Sequence, residues 1–435
     1  MPDVPVSTTA QADRADLALL GRLYRTMLDA AAPSLVLPAH LPAPPTAPGA
    51  RTVVVGVGKA AAAMAQAVRA HWPGPLQGVV VVPAGAALPL SDIDVLEASH
   101  PVPDERSVAA GQRLLQAVQG LGPQDLVIAL VSGGGSALCA VPAPGVSLAD
   151  KQAITRALLR SGATIHEINT VRKHLSAIKG GRLAQAAWPA RVVSLVLSDV
   201  PGDDPALVAS APTLPDPSSC ADALGVLTRH GVALPEAVRE GWRSGALESP
   251  KPDQADMGAR LSHRLVACAQ DGLEAAARCA QAAGWSAHIL SDAMQGEARD
   301  LALAHAAMAL QVRRRAQPWA APCVLLSGGE ATVSVRGAGQ GGRNTEFALA
   351  LALALQGEPG ICAWSAGSDG LDGTGDAAGA WVSPDTLVRA AALGLNARQA
   401  LADNDSFSFF HALGDTVVTG PTHTNINDFR AVLIR

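Results

Sequence analysis

Aromatic side chains make up only 3% of this 435-residue chain and charged ones 16%. So few rings leave no platform of the kind that stacks single-stranded nucleic acid. No basic excess compensates: the formal net charge is -5, which suits a soluble protein and argues against a polyanionic partner. Cysteine is also scarce. The six, Cys139, Cys220, Cys268, Cys279, Cys323 and Cys362, form no CxxC pair and no zinc-like spacing. Their apolar neighbours predict small buried hydrophobes in a reducing compartment. The opening "MPDVPVSTTAQADRAD" has neither a basic n-region nor an apolar core, so no secretory signal is expected. The most apolar repetitive run, "FALALALALQ" at 347–356, is too short to cross about 30 Å of hydrocarbon. These absences predict a cytoplasmic protein with no membrane and no nucleic-acid partner. Lysine is rare as well: of 33 basic residues, only Lys59, Lys151, Lys173, Lys179 and Lys251 are lysines. Where arginine is the default, a lysine within a glycine-containing motif suggests a site that needs a compact point charge; a solvated helix surface is the plainer reading.

What is abundant is apolar residues, 49% of the chain, enough for two or three domains. The runs "TVVVGVG" (52–58), "GVVVVP" (78–83), "LVIALV" (126–131) and "VVSLVLSD" (192–199) are continuous rather than alternating. Strands of that kind are covered on both faces, as in parallel sheets, and helical segments separate them in an α/β pattern. Residues 31–50 are a proline-rich connection. A polar, proline-bearing stretch at 244–256 marks a domain boundary. After it a helix is expected over about 257–283, then a strand at "AHILSD", a long helix over about 296–315, and strands at "CVLLSGGE" and "ICAWSAGSDG". The fold class predicted is two α/β domains with mainly parallel sheets, the first Rossmann-like over 1–245 and the second, smaller, over 256–435.

Five strand ends carry unusual loops: "GVGKA", "SGGGSA", "SDVPGDD", "SGGE" and "GSDGLDG". Ligands of α/β sheets bind outside the carboxyl ends of strands, and successive exposed amides before a helix form an anion-binding concavity. A tight turn alone needs one or two glycines. The run Gly133, Gly134, Gly135 followed by Ser136 therefore reads as a phosphate cradle. The P-loop pattern and the protein-kinase motif set are absent. "GVGKAA" (56–61) fits GxGxxA after a strand, a weak dinucleotide fingerprint. That fingerprint also wants an acid closing the next strand, and here none follows until Asp92. Lys59 sits where a dinucleotide loop needs no cation but a moving phosphoryl group does.

"INTVRKHLSAIKGGRLA" (168–184) has helical period, with Ile168, Val171, Leu175 and Ile178 on an apolar stripe. Asn169, Arg172, Lys173, Ser176 and Lys179 lie mostly opposite, and Gly180-Gly181 marks a stop or kink; the plain alternative is a solvated basic face. Asp199, Asp203 and Asp204 follow a strand, which suits a hydrated Mg²⁺ or, for Asp203 and Asp204, Asx-type turns. Arg343 stands in a glycine frame at a helix mouth, where its fork matches a carboxylate or phosphate. Asp369, Asp372 and Asp376 share a glycine-rich loop that lacks the closing Glu of a calcium loop.

Together, "GVGKA", "SHPVPDERS", "LVSGGGSAL", "IHEINTVRKHLSAIKGGRLA", "LSDVPGDD", "SGGEATV", "GQGGRNTE", "GSDGLDG" and "GPTHTNINDFR" resemble the glycerate 2-kinases, in which a glycerate kinase N-terminal domain precedes a MOFRL domain. The resemblance runs from about residue 15 to the end. It implies ATP- and Mg²⁺-dependent phosphorylation of D-glycerate at the 2-hydroxyl, with the active site in the interdomain cleft. Some family members carry the name hydroxypyruvate reductase, the alternative reading. The resemblance puts the catalytic residues at Lys59, Asp199, Arg343 and Asp369. Nucleotide binding falls to Gly133, Gly134, Gly135, Ser136, Lys179 and Gly180, and metal binding to Asp199, Asp204 and Glu330. It leaves a homo-oligomer open. Two positions depart from the family pattern: Ala211 and His423 replace glycines.

Overall fold

The computed structural model describes residues 8–253, 255–373 and 375–435. Two compact units emerge. One comprises 33–199 and 203–266; the other comprises the described residues up to Ala32, 200–202 and 267–435.

In the first unit, strands β1 (Thr52–Val57), β2 (Gln77–Pro83), β3 (Ile93–Ala98), β4 (Leu126–Val131), β5 (Arg191–Leu197) and β6 (Leu261–Ala267) form a sheet of order β3-β2-β1-β4-β5-β6. The pairs β3–β2, β2–β1, β1–β4 and β4–β5 are parallel. Every residue of β1 and β4 is buried, as expected of unbroken Val/Ile/Leu runs covered on both faces. The order reverses between β1 and β4, and their registers run side by side to Val57 opposite Val131. The turns after these two strands therefore emerge together at the topological switch point.

The second unit contains β7 (Ser286–Glu297), β8 (Cys323–Thr332), β9 (Ile361–Gly367), β10 (Gly379–Val382), β11 (Thr416–Val417) and β12 (Asp428–Ile434), ordered β11-β10-β9-β12-β8-β7. Only β7–β8 is parallel; the other four pairs are antiparallel. The two α/β units are as expected, but mainly parallel pairing holds for the first sheet and not the second. The cause lies in coverage. Helices Ala298–Arg315 and Arg343–Leu355 share an apolar core with residues of β8, β9, β10 and β12, so the apolar runs in these strands look the same whichever way the strands pair. The first helix, Thr8–Ala30, belongs to this unit: Tyr24 donates to the Gly367 carbonyl at 2.7 Å and packs its ring near Trp364 and Phe429.

Two element boundaries differ from expectation. Residues 261–267 are the edge strand β6, and the helix starts only at Ala269. "LSHRLVA" mixes polar and apolar residues because an edge strand is half-solvated, and that mixture reads equally well as helix. The basic segment is helical only over Ile165–His174, entered through a Thr164–Glu167 capping box. It then unwinds through Gly180 (φ +60°) and Gly181 (φ +83°) before a short helix, Arg182–Ala186. Ile168, Val171, Leu175 and Ile178 are all buried, but so are Asn169, Lys173, Ser176 and Lys179. The polar side is an interior surface, not a solvated one.

All six cysteines are free thiols, five of them buried. Among the described residues no helix is long and apolar enough to cross a membrane.

Candidate functional site

The two turns at the switch point are stitched together. Ser132 N–H donates to the Val57 carbonyl, Lys59 N–H to the Gly133 carbonyl at 2.9 Å, and Ala60 N–H to Ser132 Oγ. Gly58 (φ +132°) has no room for a side chain: a Cβ would stand 2.2 Å from Ser132 Oγ. Gly134 (φ +80°) lies between the His100 ring and the Lys59 stem, 3.2 and 3.4 Å from where its Cβ would be. The left-handed backbone beside these two side chains gives glycine at 134 a local cause. Gly134→Ala is expected to lose about 1–2 kcal/mol of stability, read as a lower urea midpoint with an unchanged slope. An unchanged midpoint would show that the turn relaxes freely.

Ser136 Oγ meets Ser210 Oγ at 2.7 Å, and Ser210 donates to Asn169 Oδ1 at 2.9 Å. Ser210 is held by three successive left-handed residues, Ala209, Ser210 and Ala211 (φ +51°, +57° and +51°). His423 in the other unit also has positive φ, +57°. At both departures from the family pattern the backbone is one that glycine adopts freely and L-residues adopt at a cost of roughly 1–2 kcal/mol. Strain of this kind persists where surrounding contacts over-determine it. Here the Ser210 and Ala211 carbonyls accept the Gly180 and Gly181 amides.

Lys179 is almost fully buried and donates to the Ser136 carbonyl at 2.8 Å. Lys151, also buried, donates to the Leu175 carbonyl at 3.0 Å and to that of Val141 at 3.4 Å. Burial pushes both ammonium pKa values down, that of Lys151 well below the usual lysine range. Both line a cavity of about 300 Å³ together with Gly134, Ser136, Arg156 and Arg172. Lys151, Arg156 and the cavity itself were missed as site features from sequence. The available signal was spacing: Lys151, Thr155 and Leu159 share one face of helix Leu148–Arg160.

In the second unit, Arg343 opens helix Arg343–Leu355. Its Nε lies 2.8 and 2.9 Å from the two oxygens of Asp428. No hydrogen bond from its Nη groups is present among the described residues, and Nη1 lies 4.0 Å from the half-exposed Glu330 carboxylate. The Asp428 carboxylate raises the Arg343 pKa further. Asp428 is buried and also accepts from Asn344 Nδ2 and from the fully buried Arg430. Burial by itself would raise its carboxyl pKa, yet Arg343 and Arg430 hold it below the usual range. Asp372 caps the same helix, accepting the Asn344 and Thr345 amides at 2.9 and 2.8 Å; burial shifts its carboxyl upward. It anchors a helix N-terminus. Asp369 is buried and accepts the Leu371 amide at 3.1 Å.

The predicted residues thus fall into two sets. Lys59, Gly133–Ser136, Lys179, Gly180, Asp199 and Asp204 belong to the first unit; Glu330, Arg343 and Asp369 belong to the second. Asp204 is exposed and accepts the Ala206 amide at 2.9 Å, the Asx turn anticipated as its plain reading.

Comparison with known proteins identifies the family. A family described as a domain of unknown function, DUF4147, matches residues 19–242, and the MOFRL family matches 323–428. D-glycerate 2-kinase of Thermotoga maritima is 42% identical over 389 residues, 88% of this chain and 91% of that protein. The chain belongs to the glycerate 2-kinase family. The crystal structure of glycerate kinase from Thermotoga maritima superposes with a TM-score of 0.86 at 39% identity, covering 97% of this chain and all of the other. A protein of Agrobacterium vitis named provisionally as a hydroxypyruvate reductase is 51% identical, covering 96% of this chain and 94% of its own. Both names within the family match the two readings raised by the sequence.

Proposed function

We propose that this protein phosphorylates D-glycerate on its 2-hydroxyl with ATP as donor. The observation that carries this reading is the pair of glycine turns at the β1/β4 switch point, with the Lys59 stem against Gly134 and Lys179 on Ser136. Family relatives named glycerate 2-kinase support the substrate. Phosphoryl transfer asks a protein for positioning and charge neutralisation rather than covalent chemistry. The amides of Gly133–Ser136 hold nucleotide phosphates, and Lys59 neutralises charge on the phosphoryl group in flight. Arg343, its Nε fixed by Asp428, presents its Nη edge to the glycerate carboxylate. Asp199 or Asp369 takes the proton of the attacking hydroxyl. Asp199 and Asp204 of the first unit, and separately Glu330 of the second, carry hard oxygen donors of the kind a hydrated Mg²⁺ would accept, and Asp204 and Glu330 are exposed enough to leave it its waters. When bound, the ion neutralises polyphosphate charge.

The reductase reading lacks a ribose-binding acid. No acid closes β2, and Glu97, reaching over from β3, accepts the Gly85 amide at 3.0 Å. Assays with D-glycerate plus ATP, and separately with hydroxypyruvate plus NADH, distinguish the two. The kinase reading expects ADP in the first and no NADH oxidation in the second.

Arg343→Lys tests the carboxylate assignment. Lysine cannot reproduce the fork, and a lost charge-assisted bond is worth about 1.5–3 kcal/mol. KM for glycerate is expected to rise by about tenfold or more, with KM for ATP little changed. An unmoved glycerate KM would reassign Arg343.

A further inference from the structure

The cavity beside the glycine turn has an unusual charge arrangement. Lys151, Arg156, Arg172 and Lys179 all line it, and among the described residues no carboxylate does. The two lysines are occupied by backbone carbonyls. Arg172 is not: its side chain is partly buried, and its guanidinium makes no hydrogen bond or ion pair among the described residues. A partly buried guanidinium with no protein partner gains from an anion beside it, so the cationic lining favours an anionic ligand.

The exposed part of the lining combines Arg156 with apolar side chains. Val102 and Leu159 are 57% and 59% exposed, and both line the cavity. They stand on separate segments, 100–103 and helix Leu148–Arg160. Gln152 ties these segments by donating to the Pro103 carbonyl at 2.8 Å. Exposed apolar side chains beside buried lysines, with Gly134 and Ser136 in the same lining, match a ligand with a flat apolar head and a polyanionic tail. Glycerate and its phosphates have no such head.

We propose that this cavity seats ATP with its purine between Val102 and Leu159 and its polyphosphate on Arg172, so that the chain of phosphates runs past Gly134 toward Lys59. The inference rests on the kinase reading and adds to it the nucleotide's orientation and two residue roles. Arg172 clamps phosphate; Leu159 holds the base.

Calorimetric titration of the full-length protein with ADP, adenosine and inorganic triphosphate tests it without requiring turnover. Arg172→Gln is expected to weaken ADP and triphosphate about tenfold or more. Leu159→Ser, at an exposed position that leaves folding undisturbed, is expected to weaken ADP and adenosine severalfold and leave triphosphate unchanged. Steady-state KM for ATP follows both, and KM for glycerate follows neither. Arg172→Lys guards against misfolding: it keeps the charge and is expected to recover part of the triphosphate affinity. ADP affinity unchanged in both variants overturns the proposal. So does a Leu159→Ser variant that loses triphosphate as strongly as ADP. If the wild type binds ADP in this pattern yet transfers no phosphate to glycerate, the kinase reading fails and the slot stands.

Discussion

Replacing Asp428 by alanine is expected to destabilise the second unit by about 3–5 kcal/mol, the usual cost of removing one partner of a buried ion pair. Two arginines depend on this carboxylate. Arg430 is fully buried, and its Nη2 lies 2.7 Å from Asp428 Oδ2. Besides Asp428, the Gly328 carbonyl at 3.4 Å is its one hydrogen-bond acceptor among the described residues. Without Asp428 it becomes an uncompensated charge beside Phe347. Arg343 loses the anchor that aims its Nη edge. Asp428→Asn keeps one acceptor oxygen but turns an NH₂ toward two donors, so an intermediate loss is expected. The pH dependence has a definite sign. The Asp428 carboxyl titrates below its ordinary value when folded. Its contribution is therefore complete above the unfolded aspartate pKa of about 3.9 and disappears as pH falls through the lower folded value. The variants are expected to show a flatter acid limb in stability against pH. Urea unfolding of the alanine variant within about 1 kcal/mol of wild type would mean that Arg430 finds another partner and that the cluster is not held as described.

The second large effect is expected at Lys59. Its backbone amide is used in the turn, donating to the Gly133 carbonyl, but its side chain is only half-buried. Lys59→Ala should leave the unfolding midpoint close to wild type while kcat falls about 10²–10³-fold, as when one preorganised donor to developing charge is removed. Lys59→Arg is expected to recover little, because a broad planar fork does not fit where a point charge is wanted beside Gly134 and His100. Turnover near the wild-type rate in the alanine variant would make Lys59 part of the scaffold.

Much of this was legible in the letters. The continuous apolar runs marked β1, β2, β4 and β5 because burial on both faces leaves no alternation to confuse with helix. The glycine turns could be read because glycine's tolerance of positive φ is local chemistry, as at Gly134. The direction of the second unit's strands could not be read: β12 pairs with β8 and β9 from far along the chain, and helices covering β9 and β12 erase the polar face that would betray an antiparallel sheet. Edge strand β6 was mistaken for helix for the converse reason, since half-solvated short segments carry no clear period. Among the candidate residues, Lys59, Lys179 and Arg343 stood out because each sits near glycines. Asp428 did not, although it is Arg343's principal partner, because 85 residues separate the two and only sheet pairing brings β12 beside the strand and helix it serves. Arg172 was visible as part of a basic stripe, but whether that stripe faced water or a cavity depended on a segment that unwinds at Gly180.

The central claim is transfer of a phosphoryl group to one hydroxyl of a small acid. Phosphorus-coupled proton NMR of the products formed from D-glycerate and ATP tests it most directly. The account predicts stoichiometric ADP and a new phosphorus coupling to the single proton on C2. Coupling to the C3 methylene protons instead, or no phosphorylated product while hydroxypyruvate is reduced by NADH, would contradict it.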